Sequence, residues 1–376
     1  MAIQSSGRGR GTHLIKITLG YEPGTRKRLY YTETFKGTIK DARLREAELK
    51  IYHRDKKLVI SSEITFRACF DHYCDEARAH LSPSTFHTRE TFIKRCILPT
   101  LGNKKLKEFV REDFQKVYNS LRTRGLSPVT IHTLHGAAKA VIKLAMEKRL
   151  LHEDILTGIT LPKIPKVRPE FLTYEEMQAF FDVAPSYWYG NAFKFQFMTG
   201  ERNQELMALM WEDINFETAT ICIRRACCWI DGKFQGFKST KTGEERTIEL
   251  DPPTIDFLKR LKTTQETHIK SRESCGLFYG DKRLIFCTQD GRVPHMVVVR
   301  ECFKQILKRI GITRRFRWYG ARHTHATHLL DNNGANPKMV ANRMGHSVEM
   351  LFRIYGHEMP GQQREALSKI SSRVKL

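Results

Sequence analysis

The sequence predicts a multidomain α+β protein made of three parts. Its 376 residues exceed the usual size of a single domain, and a hydrophobic content of 40% is enough for packed cores. Three patterns follow one another along the chain: alternating strands with one helix, four amphipathic helices, and helices that flank a β-rich middle. We therefore expect a small β-sheet-plus-helix module at 1–57, a four-helix domain at 62–160 and a mixed α/β domain at 168–376.

Positive charge runs through all three parts. Lys and Arg number 64 against 41 Asp and Glu, which gives a formal net charge of +23. Residues 1–57, 58–167 and 168–376 carry net charges of +8, +7 and +8. Such a charge indicates a polyanionic partner, with nucleic acid first and an anionic membrane second. Because every part is positive, we expect the partner to contact all of them.

Three other classes of protein are disfavoured. No apolar run approaches the roughly 18 residues that a membrane span needs. The N-terminal residues include basic side chains but no apolar core or small-residue cleavage site, so a secretory signal is not expected. The nine Cys are odd in number and form no C-x-x-C pair, which favours reduced cytosolic thiols over a disulfide framework or a zinc site.

The first two parts are predicted from local patterns. Residues 14–20 and 27–35 alternate as short strands, and 39–57 is rich in helix formers. In the second part, apolar side chains recur every 3.6 residues in four stretches, which begin near Ile64, Phe86, Val110 and Ile131. Pro99 and Gly102 are expected to end the second of these helices, and Ser127 followed by Pro128 is expected to begin the fourth.

The third part mixes helices and strands. Thr173 and Glu176 form a capping-box pattern at the start of a helix. Residues 219–230 and 236–250 are predicted strands, the second bent into a hairpin at Thr242 and Gly243. From Val297 the chain is predicted to be mostly helical.

Two stretches of the third part place a cation where it could meet an anion. In residues 199–214, Leu206, Leu209 and Met210 form a predicted helix face that starts at Gly200, with Arg202 in the first turn. Taken alone, a surface arginine on an amphipathic helix is the simpler interpretation. In residues 239–250, Lys241 lies at the tip of the predicted hairpin, where a solvated turn lysine is the simpler interpretation.

Two further stretches contain His and Tyr. In residues 318–346, Arg322 opens a predicted helix that also contains His323, His325 and His328. Histidines at such spacing can ligate zinc, but carboxylate or Cys companions are missing nearby, so core or capping histidines are favoured. In residues 350–360, Tyr355 follows a short helical stretch, and taken alone it is a core tyrosine.

Together the four stretches resemble the tyrosine recombinases, also called phage integrases. TGERNQEL is similar to the first arginine box of that family, and TKTG followed by RTIEL to its catalytic β-hairpin. ARHTHATHLL with the later Gly-His is similar to the second box, and IYGH to the nucleophile motif. Arg322 precedes His346 by 24 residues, and His346 precedes Tyr355 by 9, which fits the family. The second part resembles the SAM-like core-binding domain, and the first the arm-type DNA-binding domain.

The resemblance implies a role for each residue of the site. By position, Arg202 and Arg322 would bind the scissile phosphate, Lys241 would protonate the leaving 5′ oxygen, His346 would support the phosphate and the nucleophile, and Tyr355 would attack phosphorus. Glu205 would buttress the first arginine box. Tyr319 stands where the family usually has His, so the general-base role at that position is in doubt.

The implied activity is site-specific DNA recombination through a covalent 3′-phosphotyrosine intermediate. It integrates and excises a phage or other mobile element without metal, ATP or another cofactor. The implied partners are double-stranded DNA at core-type and arm-type sites, and three further copies in a homotetramer. A DNA-bending protein and an excisionase are candidate accessory proteins. The implied location is the bacterial cytoplasm, in association with the nucleoid.

Elementary chemistry agrees with this implication. Arginine forks match the non-bridging oxygens of a phosphodiester under attack, and a tyrosine, with an ordinary pKa near 10, needs a cationic pocket or a base to become a nucleophile. Three alternatives explain less. A metal-dependent nuclease or transposase would need converging carboxylates, a type IB topoisomerase would not need the arm-type module, and a non-enzymatic DNA-binding regulator would not need the four boxes.

Overall fold

The computed structural model describes residues 3–5, 12–21, 28–57, 63–151, 153–165, 169–240, 243, 245–331 and 335–355. The chain divides into two compact units, Met1–Pro165 and Lys166–Leu376. A further boundary between residues 57 and 62 stays a prediction.

The first unit begins with an antiparallel sheet and one helix. The strands are β1 (Ile3–Ser5), β2 (Thr12–Tyr21) and β3 (Arg28–Lys36), in the order β1-β2-β3, and they are followed by α1 (Ile39–Lys57). Ile15 and Ile17 of β2 are buried, whereas Lys16 between them is exposed, as the alternation of the sequence predicts. Leu49 of α1 completes this small core. The predicted strands and helix of the first part are therefore confirmed.

Five α-helices follow α1 among the described residues of the first unit. They are α2 (Phe66–His80), α3 (Pro83–Cys96), α4 (Leu98–Leu101), α5 (Arg111–Thr123) and α6 (Pro128–Glu147). The predicted cap of α6 is confirmed, because Oγ of Ser127 accepts a hydrogen bond from the N–H of Thr130 at 3.1 Å. The prediction that Pro99 ends a helix is wrong. α3 already ends at Cys96, and Pro99 lies in the first turn of α4, where its missing N–H leaves no hydrogen bond unmade.

The described residues of the second unit form two small sheets and a larger number of α-helices. Its helices are α7 (Tyr174–Val183), α8 (Gly190–Thr199), α9 (Asn203–Leu206), α10 (Pro252–Ser274), α11 (Met296–Arg309), α12 (Gly320–Asp331), α13 (Pro337–Met344) and α14 (Val348–Tyr355). The capping box at the start of α7 is confirmed. Oγ1 of Thr173 accepts from the N–H of Glu176 at 3.3 Å, and the Glu176 carboxylate accepts from the N–H of Thr173 at 3.0 Å.

The strands of the second unit pair differently from the prediction. They are β4 (Ile214–Asn215), β5 (Thr220–Ile223), β6 (Arg225–Ile230), β7 (Lys233–Ser239) and β8 (Arg246–Glu249). The predicted hairpin bent at Thr242 and Gly243 is wrong, because β7 pairs with β6 whereas β8 pairs with β5. The β5–β8 register sets Ile221 opposite Ile248, and both side chains are buried. Burial of this distant pair, rather than the local turn, decides the partner of β8.

The helix predicted within residues 199–214 is also shorter than expected. Only α9, a single turn, is α-helical, and Met210 forms an antiparallel bridge with Leu284. Leu206, Leu209 and Met210 are all buried, so their apolar spacing reflects a chain enclosed on several sides. Gly200 ends α8 rather than beginning the next helix. Nowhere in the described ranges does a helix combine the length and apolarity needed to cross a bilayer.

Candidate active site

Arg202 is the N-cap residue of α9, and its guanidinium donates to two acceptors. Nη1 donates to Oε1 of Glu205 at 2.7 Å, and Nη2 donates to the carbonyl oxygen of Gly345 at 2.6 Å. Glu205 is buried and also accepts from Nη2 of Arg246 at 2.6 Å. Burial alone would raise the pKa of Glu205, but Arg246 and then Arg202 lower it to about 2. The ionised carboxylate therefore holds both guanidinium groups in place.

Two glycines with left-handed backbones allow these groups to approach one another. Gly200 has φ +79°, and a Cβ there would lie 2.5 Å from Cδ2 of His325. Gly345 has φ +59°, and a Cβ there would lie 3.3 Å from Arg246 and 3.4 Å from Arg202. Any side chain at Gly200 would collide with the histidine, and at both positions the backbone itself favours glycine.

Arg322, on α12, is completely buried. Its Nη1 donates to the carbonyl oxygen of Gly200 at 2.7 Å, and its Nη2 donates to the carbonyl oxygen of Met344. Nη2 also donates to Nε2 of His346 at 2.8 Å. Burial lowers the pKa of Arg322 to about 10, so the guanidinium is still protonated at neutral pH. The hydrogen bonds of Arg322 thus connect the end of α8 with the end of α13.

His346 is neutral and has a defined tautomer. Burial, followed by the charges of Arg322 and Arg202, lowers its pKa to about 3. A guanidinium can only donate, so Nε2 of His346 is an acceptor, and the ring hydrogen is carried by Nδ1. The Nδ1–H group therefore faces away from Arg322 and is available as a donor.

Two buried donors of this site have no acceptor among the described residues. Nδ1 of His346 and Nε of Arg322 lack a hydrogen-bond partner in the part of the chain that the structure describes. A buried donor without an acceptor is destabilising by about 1–3 kcal/mol. Two such N–H groups beside the guanidinium of Arg202 fit an anionic ligand whose oxygens would accept from them.

Tyr355 is the last residue of α14, and its hydroxyl lies 2.6 Å from Nδ1 of His323. Burial raises the pKa of Tyr355 above its ordinary value, while the charge of Arg322 opposes that rise. His323 lies between two tyrosines, because its ring centroid is 5.7 Å from that of Tyr355 and 5.1 Å from that of Tyr319. A phenol that could act as a nucleophile is thus close to the positive charge of Arg322.

A comparison with protein-family models decides the family. The model described as the phage integrase family matches residues 170–361, which is just over half of the chain. The chain belongs to the phage integrase family. A second model, described as the N-terminal SAM-like domain of phage integrases, matches residues 65–122. The protein is therefore a tyrosine recombinase with an integrase-type catalytic domain.

Curated relatives match this integrase over almost its whole length. The ICEBs1 integrase of Bacillus subtilis is 22% identical over 363 residues, which is 96% of this chain and 97% of the relative. A XerC-like tyrosine recombinase of Caldanaerobacter subterraneus is 26% identical over 383 residues, with 96% of each chain covered.

Solved structures share the fold. A Tn1549 transposon integrase in complex with transposon right-end DNA has a TM-score of 0.66 and is 19% identical, and the match covers 82% of this chain and all of that one. A lambda integrase dimer bound to a core site has a TM-score of 0.61 and is 15% identical, and the match covers 95% and 96% of the two chains. The multidomain α+β fold class expected from the sequence is confirmed by these matches.

The structure brings most of the predicted site residues of the integrase together. Arg202, Arg322 and His346 meet around Gly345, and Tyr355 lies within the electrostatic reach of Arg322. The Tyr319 side chain contacts His323 and remains 38% exposed. Lys241 lies outside the described residues.

The other histidines of α12 have structural partners. His325 Nδ1 bonds the carbonyl oxygen of Phe197 at 3.0 Å, and His328 Nε2 bonds that of Leu172 at 2.8 Å. Within the described ranges, no three His, Cys, Asp or Glu side chains are grouped closely enough to hold a metal ion.

Two residues of the site were not predicted from the sequence. Arg246 precedes the buried Ile248 by two positions on β8, so strand alternation already indicated that its side chain faces the interior. His323 follows Tyr319 by four positions, a spacing that places two side chains on the same helical face. Both signals could be recognised only once the strand and the helix had been assigned.

Proposed function

We propose that this integrase cuts and rejoins DNA with Tyr355 as the nucleophile and Arg202, Arg322 and His346 as the phosphate-binding groups. The observation that supports this most strongly is that the described residues offer no acceptor to the Nε–H of the buried Arg322 or to the Nδ1–H of His346. Phosphodiester oxygens would satisfy these donors. Negative charge that develops on the oxygens during attack would be stabilised by donors already held in place.

The reaction proceeds as a transesterification at phosphorus. The Tyr355 oxygen bonds to phosphorus, and the bond from phosphorus to the 5′ oxygen breaks, which leaves a 3′-phosphotyrosine and a free 5′ end. Lys241 supplies the proton that the 5′ oxygen takes up. The phosphotyrosine conserves the bond energy, so religation requires no ATP, and the guanidinium groups replace the charge that a metal ion would provide.

A cationic groove beside the site supports DNA binding. The groove, about 840 Å³ in volume, is lined by side chains of α11, by Ile312 and by residues 314–319, which include Tyr319. Lys308, Arg315 and Arg317 are exposed there, and none of them forms an ion pair with a carboxylate of the described residues. Such cations bind a phosphate backbone without sequence preference, at the cost of steep salt dependence.

The biological context follows from the relatives. One curated relative is an integrase of the element ICEBs1, and a lambda integrase structure is a tetramer bound to a Holliday junction. By analogy, four copies of this chain exchange strands between attachment sites of a mobile element in the bacterial cytoplasm, at the nucleoid. Residues 62–160 and 168–376 bind the core-type site, residues 1–57 bind the arm-type site, and a DNA-bending protein and an excisionase regulate direction.

Replacing Tyr355 tests the nucleophile. Tyr355→Phe removes the attacking oxygen and keeps the ring, so we expect no covalent adduct on a nicked core-site substrate, with DNA binding nearly unchanged. Tyr319→Phe is the matched control. Tyr319 contributes at most one hydrogen bond or proton transfer, so cleavage should persist with a loss of about 10²–10³-fold or less. An adduct peptide that contains Tyr319, or an adduct that survives Tyr355→Phe, would contradict the assignment.

The role of Lys241 and the independence of cleavage from metal ions can be tested on the same substrate. Lys241→Ala should cleave ordinary DNA slowly and recover on DNA with sulfur in place of the 5′ bridging oxygen, because a thiolate leaves without a proton. Wild-type cleavage should continue in excess EDTA. A strict requirement for Mg²⁺ would refute the mechanism.

A further inference from the structure

The proposed attack requires Tyr355 to lose its proton, and its surroundings make that loss difficult. The side chain is mostly buried, and burial raises the pKa of the phenol further above its ordinary value near 10. The charge of Arg322 acts in the opposite direction but does not reverse the shift. A group in contact with the hydroxyl must therefore accept the proton as the bond to phosphorus forms.

Most neighbours cannot accept it. Arg202 and Arg322 have no acceptor atom. The Nε2 lone pair of His346 is already occupied by the N–H of Arg322 at 2.8 Å, and its Nδ1 carries the ring hydrogen. Tyr319, at the position where the family usually has His, offers only a weakly basic phenol oxygen, and its ring contacts His323 edge to face.

His323 is the neighbour whose position allows it to accept the proton. Its Nδ1 is 2.6 Å from the Tyr355 hydroxyl, within the distance for direct proton transfer. Burial, and then the charge of Arg322, lower its pKa to about 4, so at neutral pH the imidazole is uncharged and has a free lone pair for a phenol donor. The contact with the Tyr319 ring supports the orientation of the imidazole toward Tyr355.

We propose that His323 is the general base of this integrase and replaces the imidazole that is missing at position 319. The inference rests on the proposed role of Tyr355 as nucleophile. In cleavage, the Tyr355 O–H bond breaks, its proton bonds to Nδ1 of His323, and the freed electron pair forms the bond to phosphorus while the 5′ oxygen leaves. In religation, the 5′ hydroxyl returns its proton to Lys241 and its oxygen bonds to phosphorus, the bond from Tyr355 to phosphorus breaks, and the imidazolium returns its proton to the phenol oxygen. No proton is consumed over the cycle.

Asparagine at position 323 separates proton transfer from hydrogen bonding. The Asn amide lies near the position of Nδ1 and can still accept a hydrogen bond, but it cannot take a proton. His323→Asn should therefore form the Tyr355 adduct about 10²–10³-fold more slowly than wild type in single turnover, with DNA binding and melting temperature little changed. His323→Gln is the second variant if the Asn protein does not fold. His328→Asn is the matched control on the same helix and should cleave at the wild-type rate.

A fluorinated tyrosine at position 355 tests whether His323→Asn is slow because it lacks a base. A phenol that ionises near neutral pH loses its proton with little help from a base. The loss in cleavage rate caused by His323→Asn should therefore shrink at least about tenfold. Sulfur in place of the 5′ bridging oxygen should leave the rate loss of His323→Asn unchanged, because it removes only the need to protonate the leaving group.

Three results would count against the inference or its basis. Cleavage by His323→Asn within about threefold of wild type, or a deficit that fluorination does not reduce, overturns the base assignment and leaves the Tyr355 nucleophile standing. A wild-type adduct on a residue other than Tyr355 overturns the proposed function as well.

Discussion

The interior of the helical region and that of the catalytic unit are built from different side chains. Among the described residues between 63 and 165, no charged side chain is buried, and the only buried side chains that carry a polar atom are those of Tyr and Cys. The catalytic unit buries Glu201, Glu205, Arg322 and His325, among others. Apolar burial stabilises the first region without specific partners, whereas each buried charge of the second needs a partner at short distance. The difference shows that the core of the second region, unlike that of the first, depends on specific polar contacts.

The largest expected effect is on catalysis. Arg322→Lys keeps a charge but loses the planar fork that reaches Gly200, Met344 and His346 together. We expect single-turnover cleavage to fall about 10³-fold or more. The control is Arg317→Lys, an exposed arginine in the groove, which should change the cleavage rate little. A loss below about tenfold for Arg322→Lys would show that the fork is not needed.

Next comes the apolar core of the helical region. Phe114 is fully buried against Phe66, Phe109 and Tyr118. Phe114→Ala should lower the free energy of unfolding by about 3–5 kcal/mol and leave the cleavage rate of folded, DNA-saturated protein unchanged. All four Trp lie after residue 166. The loss should therefore appear in far-UV circular dichroism before Trp fluorescence changes. Val110→Ala, at an exposed position, should cost below about 0.5 kcal/mol.

The same substitution should have unequal effects in the two regions. Glu205→Gln leaves Arg202 and Arg246 without the carboxylate that joins them, and breaking such a buried pair costs about 3 kcal/mol. Glu90→Gln on α3 removes only the half-buried partner of the exposed Lys94, an i,i+4 pair worth about 0.5 kcal/mol or less. Urea unfolding of both variants makes the comparison, and equal losses would contradict it.

The smallest effect concerns pH. His325 is buried, and burial, then the charge of Arg343, lower its pKa to about 3 in the folded state. The unfolded state takes up a proton near pH 6.5 and the folded state does not, so acid removes stability as the pH falls from 6.5 toward 3. His325→Gln lacks this loss. The stability advantage of wild type over His325→Gln should therefore shrink by about 2 kcal/mol between pH 7 and pH 5.

Wild type and His325→Gln must be compared at each pH, because Glu201 changes the stability of both proteins with pH in the opposite direction to His325. Burial raises its pKa to about 7, so protonation of the folded state adds stability as the pH falls from 7 toward the ordinary value of 4.5. Both proteins retain this carboxyl, so its contribution cancels in the difference. An advantage that stays constant with pH, measured by Trp fluorescence during urea unfolding, would mean that His325 takes up its proton over the same pH range in the folded and unfolded states.

The sequence by itself determined the elements whose signals are local. The alternation around Ile15 and Ile17, the caps at Ser127 and Thr173, and the extent of α1 all depend on neighbours within a few positions. The sequence motifs around Arg202, Arg322, His346 and Tyr355 could likewise be recognised from their spacing along the chain. Periodicity and capping are consequences of helix and strand geometry, so they need no knowledge of distant contacts.

Only the tertiary structure decided which distant groups meet. β8 pairs with β5 instead of folding back on β7, because Ile221 and Ile248 are buried together. The same pairing carries Arg246 to Glu205, 41 residues earlier in the chain. The hydroxyl of Tyr355 meets His323 across 32 residues. Local spacing contains no information about such contacts. They arise when apolar faces of separate elements pack together, because that packing also places the neighbouring polar side chains next to each other.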